Sequence, residues 1–452
     1  MDRRLFMLLA AAGVADPGRS PLPGFGPEPG QAPPSDAVSG APRANSGDPQ
    51  FDAWLQSFYQ RSVLAGWGEP LLQQQLTGLT PDPRVTALDG RQPELSKPVG
   101  DYMRTAVSDR TVAAGRAKMA GAQDWLPQVQ DRFGVPGPIL VAIWGEESSY
   151  GSLQGDMDII RSLATLAADG RRRDFAEAQI WDALRVIQSG AVTRQQLKGS
   201  WAGAMGQTQL IPEAYLQVAV DQDGDGRADI WNSPADALAS AANLLTQYGW
   251  QRAGGWAREV ILPPGFDYGV TEGPKQTPAA WAIDGVRAAS GGDWSEADGN
   301  ALAQLITPAG AAGPAFLALP NHFVIRRYNN STSYALAVGL LADRIAGAPP
   351  LVTPWPMEQP MTSQDRVGAQ QALIALGFNP GEPDGVIGLN TRAAIRAWQK
   401  ANGLPADGYL NAALSQRLQA AAAAKDGPSP AAPGLPQFPA PQASAPSPAT
   451  GN

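Results

Sequence analysis

Apolar residues recur at helical spacing through most of this chain, and strand-like alternation is scarce. "FDAWLQSFYQRSVLAGW" (51–67), "DFAEAQIWDALRVIQSG" (174–190) and "SPADALASAANLLTQYGW" (233–250) each place an apolar stripe on one face of a helix. Gly190 is a C-terminal stop, and Ser233-Pro234 fit an N-cap and first helical position. "NHFVIRRY" (321–328) is the best candidate for a strand. The expectation is a mainly α body over residues 51–348. Cysteine is absent, so disulfides, thiol nucleophiles and cysteine-metal sites are excluded. The 452 residues leave room for two or three domains.

The two ends read differently from the body. "MDRRLFMLLAAAGVAD" has two arginines, an apolar core and small residues ending in "GVA". That is a secretory signal pattern over residues 1–15, too short to span a bilayer. Arg3 and Arg4 before Leu5-Phe6-Met7 also fit a twin-arginine signal. The alternative is a frayed N-terminal helix. Residues 16–50 are rich in Pro and Gly and poor in large apolar side chains, and are expected to be a disordered tether; residues 421–452 repeat the theme as a tail. No later segment is long and apolar enough to cross a membrane. The expectation is an exported, periplasmic protein. A net charge of −8 argues against nucleic acid as a partner.

"APPLVTPWP" (348–356) opens a short linker, placed at 349–361. After it, residues 362–420 hold three short helical segments broken by Gly, Pro and Asp-Gly turns, enough for a small three-helix domain.

Chemistry concentrates in three stretches. In "IWGEESSYG" (143–151) two glutamates follow an apolar run. On a helix over 139–150, Ile139, Leu140, Ile143 and Trp144 form one stripe. Glu147 falls in its middle and Glu146 about a quarter turn away. A carboxylate on an apolar face has its charged form desolvated, which raises its pKa and suits it to general-acid work. The competing reading is a helix-end Glu facing solvent or an arginine. "GSWAGAMGQTQLIPEAY" (199–215) is crowded with small residues, so backbone approaches something closely there, either another helix or a ligand. Gln207 and Gln209 add neutral donors and acceptors suited to sugar hydroxyls. "DQDGDGRADIWN" (221–232) sets Asp221, Asp223 and Asp225 at loop positions 1, 3 and 5, with Gly226 at 6 and the Arg227 carbonyl at 7. This is calcium spacing, except that Asn232 replaces the bidentate Glu at position 12. Asp229, at position 9, offers a direct or water-mediated ligand. The alternative is a solvated turn with no metal.

Together with "RRYNNSTSYALAV" (326–338), these stretches occur in the order that resembles the lytic murein transglycosylases of the B type. The resemblance runs over residues 51 to about 345 and implies a lysozyme-like helical catalytic domain. It implies that Glu147 is the single catalytic acid/base; Glu146 falls where the family is commonly apolar. It implies that Ser200 helps hold the sugar and the catalytic Glu, that Gln209 lies in the saccharide groove, and that Tyr328, Asn329 and Tyr334 line the site. A later Asp completes the family's calcium site, and Asp236 is the match, one residue further along than usual. The ion would be structural, with no catalytic cofactor. The implied reaction cleaves the N-acetylmuramic acid–N-acetylglucosamine bond without water. Glu147 protonates the bridging oxygen, then acts as base on the C6 hydroxyl as a 1,6-anhydro ring closes. "EPDGVIGLNTRAAIRAWQKANGLPADG" (382–408) resembles the small helical peptidoglycan-binding domain of wall hydrolases. The implied partner is the peptidoglycan glycan strand, met by a monomer. Two readings compete: a hydrolytic muramidase with a second carboxylate, and a catalytically silent wall-binding scaffold. The only histidine, His322, is assigned no role.

Overall fold

Helices dominate the computed structural model, which describes residues 45–89, 97–271 and 273–426. The signal-like segment and most of both Pro-rich ends lie outside the described residues. The first long helix, Pro49–Leu64, starts where Asp48 accepts the amides of Gln50 and Phe51 and Pro49 occupies the first turn. It buries Phe51, Trp54 and Phe58. Trp54 stacks on Phe58 and Phe58 on Trp181 of the Arg173–Gln188 helix, ring centres 5.3 and 5.6 Å apart. Beneath them Glu177 is buried but paired: it accepts Trp54 Nε1 at 2.8 Å and both terminal nitrogens of Arg61 at 2.9 and 2.8 Å.

The helix Gly137–Ser148 runs through the middle of the body and is buried on every side from Ile139 to Trp144. It packs against Thr332–Ile345, Asp109–Ala120, Pro234–Gln247 and Leu126–Phe133. An interior glycine ordinarily costs a helix about 1 kcal/mol. Gly145 earns its place by proximity: a Cβ there would lie 2.8 Å from the Tyr150 ring. The helix ends at Ser148, two residues before the expected boundary, because Ser149 and Tyr150 turn left-handed at φ 49° and 61°. That reversal lays Tyr150 edge-on against Trp144, with its hydroxyl donating to the Thr111 carbonyl at 2.8 Å.

A four-stranded antiparallel sheet was not expected. Its strands are Ala257–Ile261, Arg287–Ala288, Gln304–Ile306 and Ala315–Ala318; the last lies between the first and third. Phe316 and Ala318 face the main core, while Ala315 and Leu317 face a smaller one with Val260 and Trp281. A strand buried on both faces shows no polar alternation, which hid it. The segment expected as a strand is instead the helix Pro320–Tyr328, with Pro320 in its first turn and Val324, Ile325 and Tyr328 buried.

Residues 349–361 are not a free linker. Glu259 accepts the amides of Val352 and Thr353 at 2.8 and 2.7 Å, Trp355 stacks on Phe316 at 6.2 Å, and Arg104 donates to the Pro356 carbonyl. The C-terminal unit then packs Ser363–Ala375, Leu389–Ala401 and Ala412–Asp426 around Leu373, Ile395, Trp398 and Leu418. Thr362 and Asp365 form a reciprocal capping box at its start. Its last helix continues to Asp426, past the expected boundary at residue 420.

Candidate active site

Glu147 sits in the last turn of the central helix with 2% of its surface exposed. Its Oε1 accepts the Tyr334 hydroxyl at 2.5 Å, from the first turn of Thr332–Ile345. Burial pushes its pKa up to about 8, against the Tyr334 hydrogen bond, and the neighbouring Glu146 charge pushes the same way as burial. Near neutral pH the group therefore keeps its proton. Burial and the Glu147 charge raise the Tyr334 and Tyr328 phenols well above their usual range, so both are fixed as neutral donors. Glu146 is half-buried and accepts the Tyr102 hydroxyl at 3.0 Å, a pairing that no local sequence signal announced.

The small-residue stretch folds back on itself and also packs against the helix Ile159–Asp169, whose Ile159 and Leu163 side chains would meet a Cβ at Gly199 and Gly203. Ser200 donates its amide to the Ala204 carbonyl at 2.8 Å, and Met205 and Leu210 exchange backbone bonds at 2.8 and 3.0 Å. Gly199 is needed because a Cβ would lie 2.1 Å from the Ala204 oxygen, and Gly206 because one would lie 2.7 Å from the Ile230 oxygen. The loop is stapled to the glutamate's helix by Ser148 Oγ, which donates to the Gln207 carbonyl at 2.6 Å. Tyr328 fastens the other side by donating to the Thr208 carbonyl at 2.5 Å.

The expected site residues divide into three groups. Tyr334 touches Glu147 directly, and Tyr328 holds the loop wall. Gln209, left-handed at φ 51°, gives its Nε2 to the Gln154 and Gly206 carbonyls at 3.0 and 2.8 Å; its Oε1 is buried without a donor. Asn329 Oδ1 and Trp144 Nε1 are likewise buried and unpartnered. Ser200 is not joined to Glu147 by a hydrogen bond among the described residues; its Oγ accepts the Ala204 amide at 2.9 Å. His322 is buried against Trp256 and Phe323, and burial drives its pKa down to about 3, which fits a neutral core residue.

The acidic loop gathers Asp221, Asp223 and Asp236, one oxygen of each within 4.8 Å of the others. Asp236 is fully buried and accepts the amides of Gln222, Asp223 and Asp229 at 2.8, 3.3 and 2.8 Å. Burial and the Asp223 charge push its pKa up despite those amides. Asp225 stands outside the cluster and accepts the Arg227 amide at 2.9 Å. The Asp229 carboxylate is turned to Trp231 and Asn232 at 2.9–3.0 Å.

The chain is similar to several known proteins. A transglycosylase SLT domain model matches residues 50–343, and a peptidoglycan binding domain model matches residues 362–418. The chain is 33% identical over 247 residues to "Membrane-bound lytic murein transglycosylase B" of Escherichia coli (strain K12), a match spanning 54% of this chain and 66% of that protein's length. The crystal structure of SltB3 from Pseudomonas aeruginosa in complex with NAG-anhNAM-pentapeptide superposes with a TM-score of 0.78 at 45% identity, covering 82% of this chain and all (100%) of that one. The Escherichia coli lytic transglycosylase SLT35 in complex with calcium gives 0.56 at 29% identity, over 66% of this chain and 93% of that one.

Proposed function

We propose a reaction for this chain on the premise that it belongs to the transglycosylase SLT domain family. It is a peptidoglycan lytic transglycosylase, cleaving the N-acetylmuramic acid–N-acetylglucosamine β-1,4 bond and leaving a 1,6-anhydro end. One observation carries this reading: a buried glutamate, raised to about 8, gripped by a neutral phenol at 2.5 Å. Glu147 gives its proton to the bridging oxygen as the bond breaks. The resulting carboxylate, steadied by Tyr334, takes the proton of the C6 hydroxyl while that oxygen attacks its own anomeric carbon. No water is consumed.

Gln209 Oε1 and Asn329 Oδ1 support a saccharide ligand. A buried acceptor without a donor costs about 1–3 kcal/mol, and a sugar hydroxyl or acetamido N–H supplies the donor. The hydrolytic alternative needs a second carboxylate free to work on water. The carboxylate charge that acts on Glu147 is that of Glu146, and Tyr102 holds that group.

Asp221, Asp223 and Asp236 fit a structural calcium ion, which would neutralise their clustered charge and pin the loop before Pro234–Gln247. The boundaries in this reading are a catalytic unit over 51–348 and a wall-binding unit from 362. Its place of action is outside the cytoplasm, where its substrate lies. The test is mass spectrometry of muropeptides released from purified sacculi. Wild type should release products one water lighter, with anhydro ends, and Glu147→Gln none. Reducing ends would overturn the non-hydrolytic step, and release by Glu147→Gln would overturn the residue.

A further inference from the structure

A cavity of about 350 Å³ opens where the Gly137–Ser148 helix begins, about 15 Å along that helix from Glu147. Its volume lies within the range of small-ligand pockets, about 300–1,000 Å³. The buried side chains of Ala122, Leu126 and Ile345 line it, together with Met119, Pro127 and Pro138. Such walls favour an aliphatic body, whose apolar surface leaves water as it seats. Among the described residues no carboxylate lines the cavity.

The polar groups that line it are donors, and one carries charge. Arg116 Nε donates to the Ile345 carbonyl at 3.3 Å and its Nη2 to the Arg344 carbonyl at 2.6 Å. These two bonds take up one edge of the guanidinium and fix it against the end of the Thr332–Ile345 helix. The other edge, formed by Nη1 and the second Nη2 hydrogen, has no partner among the described residues. Asp109, on the same helix as Arg116, pairs with Arg344 at 3.5 Å instead. Gln130 Oε1 accepts the Gly137 amide at 2.9 Å, which leaves its Nε2 to donate, and the Gln123 side chain makes no hydrogen bond among the described residues. A free guanidinium edge matches a planar carboxylate, which it binds with two parallel hydrogen bonds.

We propose that this cavity binds a small amphipathic carboxylate, with an aliphatic chain along the apolar walls and its head on the free edge of Arg116. The site is independent of the reaction proposed above, since no residue lining it has a place at the catalytic glutamate. It does touch both helices that build the catalytic pair, at their far ends. Gly137 and Pro138 open the helix that carries Glu147, and Ile345 closes the helix that carries Tyr334.

The test is titration calorimetry of the full chain with octanoate, beside octanol, octylamine, octyl phosphate and acetate. Octanoate should bind, and each of the others should bind at least about tenfold more weakly, the loss expected when a charge-assisted hydrogen bond or the apolar body is missing. Arg116→Ala should weaken octanoate binding by a similar factor. Ala120→Phe, at an exposed lining position in the last turn of Asp109–Ala120, should fill the cavity and abolish binding. That variant keeps both Arg116 hydrogen bonds, so it separates a blocked cavity from a loosened helix end. Absence of octanoate binding to wild type would overturn the proposal, as would undiminished binding by Ala120→Phe. Equal binding of octanoate and octanol would overturn the carboxylate head, tighter octyl phosphate would replace it by a phosphate, and equal binding of acetate would overturn the apolar body.

Discussion

Replacing Glu147 by glutamine should change how stability depends on pH, and the size of the change follows from the site. The glutamate goes from an ordinary value of 4.5 in the unfolded chain to about 8 when folded. Between those values the folded state holds a proton that the unfolded state has lost. Stability therefore falls as pH rises through this window, by about 1.4 kcal/mol per unit, and levels off above the folded value. Over the whole window the ceiling is on the order of 5 kcal/mol. Glutamine has the same shape, keeps an acceptor for Tyr334 and does not titrate. Urea denaturation of both proteins at pH 5 and pH 9 measures the difference. Wild type should lose several kcal/mol more than Glu147→Gln between the two, so the variant becomes the more stable protein at alkaline pH. Parallel stability curves would refute the argument, since they would mean that Glu147 titrates in the folded protein as it does in the unfolded one.

Three further outcomes are expected. Tyr334→Phe removes a hydrogen bond to the ionised carboxylate, of about 1.5–3 kcal/mol, so the basic limb of the pH–rate profile should move up by roughly one to two units; a shift down would contradict the site. A chelator should lower the thermal midpoint of wild type and leave Asp236→Asn unmoved, and an unchanged wild type would count against the ion. Gly145→Ala drives a methyl into the Tyr150 ring, so it should cost about 1–3 kcal/mol in denaturation despite alanine's better helix propensity; a stabilised variant would show that the contact is slack.

Local geometry was the legible part of this molecule. The position of Glu147 within an apolar stripe follows from the helical period alone; that stripe favoured neither burial nor a helix end facing solvent or an arginine, and the structure has it buried. The Ser233 cap, the Gly190 stop and the three-helix C-terminal unit are equally local. What closes the site is not local: Tyr334 lies 187 residues from Glu147, and only the family resemblance pointed to it. The glycines of 199–206 announced close backbone approach but not its partners, which are the loop's own Ala204 carbonyl, the Ile159 and Leu163 side chains and the Ile230 carbonyl. The strand Ala315–Ala318 escaped because both of its faces are apolar, and 321–328 misled because a short helix with one buried face can imitate alternation. Residues 349–361 have the proline content of a spacer; Trp355 was the sign that the segment is packed, since an aromatic ring of that size is seldom left in water.

That packing changes what the C-terminal unit can do for the enzyme. A module on a slack tether searches a volume, and its benefit thins out as the tether lengthens. Here Glu259 holds the strap by two amides and Trp355 is wedged on Phe316, so there is no volume to search. The unit behaves as a fence on a workbench rather than a leash: material laid against it reaches the blade at one angle and one offset. On the proposed reading, bond choice along a glycan strand is then set by fixed lengths in the protein, through a few contacts remote from the chemistry.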